Sequence, residues 1–254
     1  MCRHLAYIGS PLPLAELLLT PGHGLLTQSW APRRQRNGTV NADGFGVGWY
    51  APGDPLPARY RRAIPIWADP SFADVARVTT SRGVLAAVRS ASPGMPQAES
   101  AAAPFTQGPW LFSHNGRVEG WPDALEGLAA SLPTARLLAL EAQVDSALLW
   151  ALVLEQLAAG ESAPDALGQV VSSVAAVTGA TLNFLLTDGT GIAATTAGDT
   201  LFWRNGRGSV VVASEPFDDG PGWHEVPDNS LLTATASHVD VRPIPNLTKE
   251  QVVP

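Results

Sequence analysis

Cysteine is almost absent from this chain. Cys2 is the only one in 254 residues, which excludes an internal disulfide and any multi-cysteine metal site. Histidine is sparse as well. His4, His23, His114, His224 and His238 never recur at HxxxH or HxH spacing, so no metal is expected. A basic surplus is lacking: 16 Lys and Arg stand against 23 Asp and Glu, a formal net charge of −7. That balance argues against nucleic acid as a partner, because phosphate binding needs a basic face. No apolar run approaches the roughly 20 residues of a membrane span. The first residues also lack a basic stretch followed by a long apolar core, so no signal peptide is evident. The expectation is a soluble, cytoplasmic protein that meets a small molecule and neither nucleic acid nor membrane. Its oligomeric state is left open, a homo-oligomer included.

What the chain does have suits a compact body with many ordered loops. Hydrophobic residues make up 45%, against only 15% charged, with 24 Gly and 22 Pro. No repeat and no linker composition interrupts it, so a single domain over residues 2–254 is expected once Met1 is removed. Cys2–Ile8 reads as a short buried strand and 11–19 as a helix ended by Pro21-Gly22. Further strands are expected at 58–66, 84–89 and 110–114, and a helix at 71–78. The middle turns helical at 123–132, 145–159 and 163–177, with Pro164 in the first turn of the last. The final third returns to strands, with Asp188-Gly189 and Asn205-Gly206 read as tight hairpin turns. Strands, a helical middle and strands again suggest helices packed on stacked antiparallel sheets, an α+β architecture.

Several positions carry possible chemistry. Cys2 follows the initiator methionine directly. Removal of Met1 would give it a free α-amine, which titrates near 8, while its thiol titrates near about 8.5. One residue would then hold both a nucleophile and an adjacent base. In Asn41-Ala42-Asp43-Gly44-Phe45-Gly46-Val47-Gly48-Trp49-Tyr50, glycines alternate with large residues. That is a strand with one face bare, a mark of close approach by another backbone or a ligand, and not the GxGxxG of a phosphate loop. Arg89 ends an apolar strand, where an arginine needs a partner. Asn115-Gly116 follows the strand WLFSH and reads as a turn. Asp145 opens a helix as N-cap or first-turn acid. Arg33, Arg34 and Arg36 are the strongest basic cluster, either a solvated loop or a rim that attracts an anionic substrate.

In this order, Cys2, the glycine-rich strand, Arg89, Asn115-Gly116 and Asp145 resemble the glutaminase domain of the type II glutamine amidotransferases. These are N-terminal-nucleophile hydrolases with a four-layer αββα sandwich, and the resemblance spans essentially the whole chain. It implies that Cys2 attacks the γ-carbonyl of a glutamyl group while its own α-amine shuttles the proton. It implies that the Asn115 side-chain amide and the Gly116 backbone N–H form the oxyanion hole. Arg89 would hold the substrate α-carboxylate and Asp145 its α-ammonium. No cofactor is implied. The roles suit the chemistry, since an amino-acid head group needs one cation and one anion, and an arginine fork matches a carboxylate.

The segments MCRHL, HGLLTQSWAPRRQRNGTVNADGFGVGWY and ASEPFDD resemble a narrower group, the amidohydrolases of bacterial ergothioneine biosynthesis. The loop from Gln28 to Arg36 carries most of that likeness, with Trp30 and Arg33 as candidate leaving-group contacts. A trimethylammonium on that leaving group would suit aromatic faces, and Trp30, Trp49 and Tyr50 are the candidates. The chain ends at Pro254 without room for a synthetase domain, so a stand-alone hydrolase with water as acceptor is expected. A glutaminase subunit feeding ammonia to a separate partner is the alternative. The intact residue set speaks against a binding protein without activity.

Overall fold

The computed structural model describes residues 2–36, 38–245 and 247. The chain runs β1 (Arg3–Pro13), α1 (Leu14–Leu18), α2 (Leu25–Gln28), β2 (Phe45–Trp49), β3 (Ala58–Arg62), α3 (Pro70–Val78) and β4 (Thr80–Val88). Then come β5 (Phe105–Gln107), β6 (Trp110–Val118), α4 (Glu126–Ala130), α5 (Thr134–Leu138), α6 (Asp145–Ala158) and α7 (Ala163–Ala175). The last third is β7 (Ala180–Thr187), β8 (Ile192–Thr196), β9 (Phe202–Gly206), β10 (Ser209–Ala213), β11 (His224–Glu225), β12 (Ser230–Thr235) and β13 (His238–Pro243).

Two antiparallel sheets stack face to face. One has seven strands in the order β11-β9-β10-β1-β4-β2-β3, the other six in the order β13-β12-β8-β7-β6-β5. Alternation along each strand sends residues to opposite faces. Ala6, Ile8, Leu85, Leu111, Leu185, Val210, Val212 and Leu232 meet between the sheets. Leu5, Tyr7, Phe45 and Val88 face the other way, onto Leu14, Leu18, Phe72 and Ala76 of α1 and α3. Phe112, Phe184 and Leu186 turn outward onto α6 and α7. The result is the four-layer αββα sandwich.

Local chemistry sets the helix boundaries. Pro70 opens α3 behind Asp69, whose side chain accepts from Phe72 N at 3.2 Å. Helix α6 is apolar all round, as a helix buried on every side must be, and Ala147 through Leu154 are all buried.

Three readings of the sequence need correction. Residues 11–13 extend β1 rather than starting a helix, because Leu12 and Pro13 pair with Ser81 and Thr80. Asn115-Gly116 is not a turn. Strand β6 runs through it, with Asn115 opposite Asn183 and Gly116 opposite Leu182. Asn205-Gly206 likewise lies within β9, and the chain reverses at Arg207-Gly208, where Gly208 takes φ +68°. Of the two places read for Asp145, N-cap and first turn, it takes the second. Val144 holds the N-cap position without a side-chain bond, and Asp145 sits in the first turn.

Candidate active site

Cys2 stands at the head of β1, in the middle of its sheet. Arg3 pairs with Val88, so antiparallel register brings Cys2 beside the end of β4. Its thiol Sγ lies 3.8 Å from the Ser90 carbonyl and is partly exposed. Met1, and with it the removal that would free the Cys2 amine, lies outside the described residues. Arg3 is fully buried. Its Nε donates to the Cys2 carbonyl at 2.7 Å, and its Nη2 to Asp199 Oδ2 at 2.5 Å. His4, also fully buried, lies with Nδ1 3.1 Å from Ser113 Oγ. Burial, aided by the charges of Arg3 and His114, holds its pKa well below the ordinary histidine value.

Arg89 is 8% exposed and Asp145 7%. Arg89 Nη1 donates to the carbonyls of Pro96 at 3.0 Å and Asp43 at 3.3 Å. No carboxylate pairs with it among the described residues. A nearly buried guanidinium without an acid is costly unless something else supplies the negative charge. The Asp145 carboxylate accepts from the Val118 and Ser146 backbone N–H groups at 3.2 and 2.7 Å, and it too has no basic partner among the described residues. It lines a cavity of about 350 Å³ with Ser92, Pro93, Met95, Arg117 and Trp121. One loop links these parts. Its Ser90 carbonyl meets the Cys2 thiol, its Pro96 carbonyl meets Arg89, and Ser92, Pro93 and Met95 wall the Asp145 cavity. Asp43 laces that loop in place by accepting from Ala91 N at 2.8 Å and Gln97 Nε2 at 3.3 Å.

Beneath Asp145, His114 lies with Nδ1 3.0 Å from Ser146 Oγ and donates from Nε2 to the Thr181 carbonyl at 2.9 Å. Burial lowers its pKa, against the upward pull of Asp145 and the Thr181 carbonyl. Gly116 approaches the same carbonyl from β6. A Cβ there would lie 1.8 Å from Thr181 O, so only glycine fits. Asn115 is fully buried and donates from Nδ2 to Asp199 Oδ2 at 3.0 Å. That oxygen also receives Arg3.

The bare face of β2 is filled by the chain itself. A Cβ at Gly46 would lie 2.3 Å from the Ala103 carbonyl, and one at Gly48 2.7 Å from Leu111. The loop from Gln28 to Arg36 is held by Glu215, which is fully buried. Its carboxylate accepts from the Arg33 and Arg34 backbone N–H groups at 3.1 and 2.6 Å and lies 2.7 Å from His23 Nε2. The basic cluster splits three ways. Arg33 reaches Asp219 at 2.7 Å on the surface, Arg34 lies over the Phe202 ring, and Arg36 donates to the Gly198 carbonyl. Trp30 is 45% exposed and packs edge-to-face on Trp67. Trp49 packs against the helix-facing core instead, and the Tyr50 hydroxyl donates to backbone carbonyls of Pro109 and Thr187. Both are wall aromatics, which leaves Trp30 as the open aromatic face of the three. Among the described residues no group of three His, Cys, Asp or Glu side chains could hold a metal ion, and no helix is long and apolar enough to cross a membrane.

Sequence reasoning missed Arg3, Asp43, Asp199 and Glu215. Asp43 and Glu215 lie inside quoted motifs, NADGFG and ASEPFDD, so a signal existed. Asp199 offered none, because its partners Arg3 and Asn115 lie 196 and 84 residues away.

Comparison with known proteins gives this geometry a context. Residues 23–219 match the model of the family described as glutamine amidotransferases class-II. A gamma-glutamyl-hercynylcysteine sulfoxide hydrolase from Mycolicibacterium smegmatis is 45% identical over 245 residues, 96% of this chain and 100% of its own length. A protein of the same name from Mycobacterium tuberculosis is 44% identical over 94% of this chain and 95% of its own. Among solved structures, a glutamine aminotransferase class-II domain protein from Silicibacter pomeroyi superposes with a TM-score of 0.69 at 24% identity, covering 96% of this chain and 99% of that one.

Proposed function

Since the chain belongs to the class-II glutamine amidotransferases, we propose that it is an amidohydrolase of ergothioneine biosynthesis. It cleaves the γ-glutamyl amide of γ-glutamyl-hercynylcysteine sulfoxide to glutamate and hercynylcysteine sulfoxide. The observation that carries this reading is the 45% identity over nearly the whole length of both chains. In the reaction, Cys2 Sγ attacks the γ-carbonyl, and the Asn115 amide and Gly116 N–H receive the oxyanion. The amide C–N bond then breaks as the Cys2 α-amine delivers the thiol proton to the leaving nitrogen. Water cleaves the resulting thioester, the same amine taking its proton and returning it to sulfur. Arg89 takes the substrate α-carboxylate and Asp145 its α-ammonium. Their near-complete burial without ion-pair partners among the described residues supports that pairing.

Trp30 and Arg33 sit on the leaving-group side in this reading. Met1 is absent from the active form, residues 2–254 act as one domain, and the reaction takes place in the cytoplasm without nucleic acid, where a lone thiol stays reduced. The test is turnover by the isolated protein, with intact mass to establish loss of Met1. A γ-glutamyl substrate with the methylated histidine-derived group should be cleaved well ahead of plain glutamine, and Trp30→Ala should narrow the gap. Equal or faster turnover of glutamine would instead make the chain a glutaminase feeding ammonia to a separate partner.

A further inference from the structure

Asp199 stands outside every motif, yet it joins two parts of the site. Its side chain is completely buried. One oxygen, Oδ2, accepts from Arg3 Nη2 and from Asn115 Nδ2, while Oδ1 accepts from the Thr200 N–H at 2.9 Å. Arg3 in turn donates to the carbonyl of Cys2. Asn183, the cross-strand neighbour of Asn115, clamps the turn that carries Asp199. Its Oδ1 accepts from the N–H groups of Ala197 and Asp199, and its Nδ2 donates to the Asp199 carbonyl at 2.8 Å.

A carboxylate can only accept hydrogen bonds, whereas a carboxamide donates at one end and accepts at the other. Asp199 therefore dictates which end of the Asn115 amide faces it. The nitrogen must, and one of its two N–H bonds is used. The other N–H is uncommitted among the described residues, and Oδ1 has no partner there either. Without Asp199 no hydrogen bond among the described residues would distinguish the amide from its flipped form, which would aim an oxygen where a donor is wanted. We propose that Asp199 is a positioning residue. It orients the Asn115 amide as a hydrogen-bond donor and, through Arg3, ties that donor to the residue carrying the nucleophile. This rests on the reading in which Cys2 and Asn115 carry the chemistry.

The test is a double-mutant cycle on kcat. Asp199→Asn keeps the shape and removes the acceptor-only character. It should lower kcat by about 100-fold, the order of losing one oxyanion donor, with KM within about threefold of wild type. Asn115→Ala should lose about as much. The double variant should be no worse than Asn115→Ala alone, because Asp199 acts through that amide. A general structural role would give multiplied losses, and these would overturn the proposal, as would an Asp199→Asn enzyme of normal kcat. Should Asp199→Asn fail to fold because Arg3 is left unpaired, the cycle is run in an Arg3→Met/Asp199→Asn background. Adding Asn115→Ala there should cost less than about threefold, and its full cost there would overturn the proposal. An Asn115→Ala enzyme with unimpaired kcat sinks the oxyanion assignment itself, and this inference with it. Impairment by Asn115→Ala combined with multiplied losses sinks only the role of Asp199.

Discussion

Cys2 is the residue on which the proposed chemistry stands. Cys2→Ala should leave the fold intact, since Cys2 is partly exposed with one weak thiol contact, and should lower γ-glutamyl hydrolysis by several orders of magnitude. Substantial turnover by that variant would refute covalent catalysis by this thiol. Arg89 makes a different demand. Its fork is held by two backbone carbonyls and, among the described residues, by no acid. Arg89→Lys keeps the charge but loses the planar, two-pronged match to a carboxylate. KM for the glutamyl substrate should rise at least about tenfold while circular dichroism and thermal melting stay close to wild type, and an unchanged KM would remove Arg89 from the head-group site. Cys2, Arg89 and Asp145 were visible in the sequence as residues out of place: a lone thiol, a charge ending an apolar strand, an acid opening an apolar helix. Arg3 and Asp199 were not, because neither is unusual until the fold brings them together.

At the scale of an element, the loop from Gln28 to Arg36 depends on one buried carboxylate. Glu215 binds two of its backbone N–H groups and meets His23. Charge-assisted bonds of this kind contribute about 1.5–3 kcal/mol each. Glu215→Ala should lower stability by roughly 3 kcal/mol in a urea titration. It should also raise KM for the γ-glutamyl compound more than for glutamine, because the proposed function assigns this loop to the leaving group. A parallel rise for both substrates would mean that the loop does not read the leaving group. The same scale shows why Asn115-Gly116 misled the sequence reading. Asn-Gly favours tight turns, but the pairing of β6 with β7 overrides that preference. Glycine is needed there because a Cβ would collide with the Thr181 carbonyl, a reason that lies on the neighbouring strand.

Across the whole molecule, stability should depend on pH through two buried histidines. His4 and His114 both have lowered pKa values, with burial the leading cause. The unfolded chain takes up protons as pH falls through about 6.5, while the folded chain resists until lower pH. Stability should therefore be fully present above about 6.5 and decline below it, by up to about 1.4 kcal/mol per pH unit for each histidine. Urea midpoints measured between pH 7.5 and 5 check this, and His114→Gln should flatten the decline; a flat profile in the parent protein would count against neutral burial of both rings. The sequence by itself determined the layered α+β architecture, since strand alternation and apolar helices are local patterns. It also determined the likeness to a nucleophile family, through the order of a few conspicuous residues. It did not determine where strands end, as at Pro13, Val118 and Gly206, because cross-strand pairing outweighs local turn preference. Nor did it disclose the Arg3–Asp199–Asn115 link, whose members are scattered across the chain. Only the stacking of two sheets brings those polar groups into one buried interior, where they hydrogen-bond to one another.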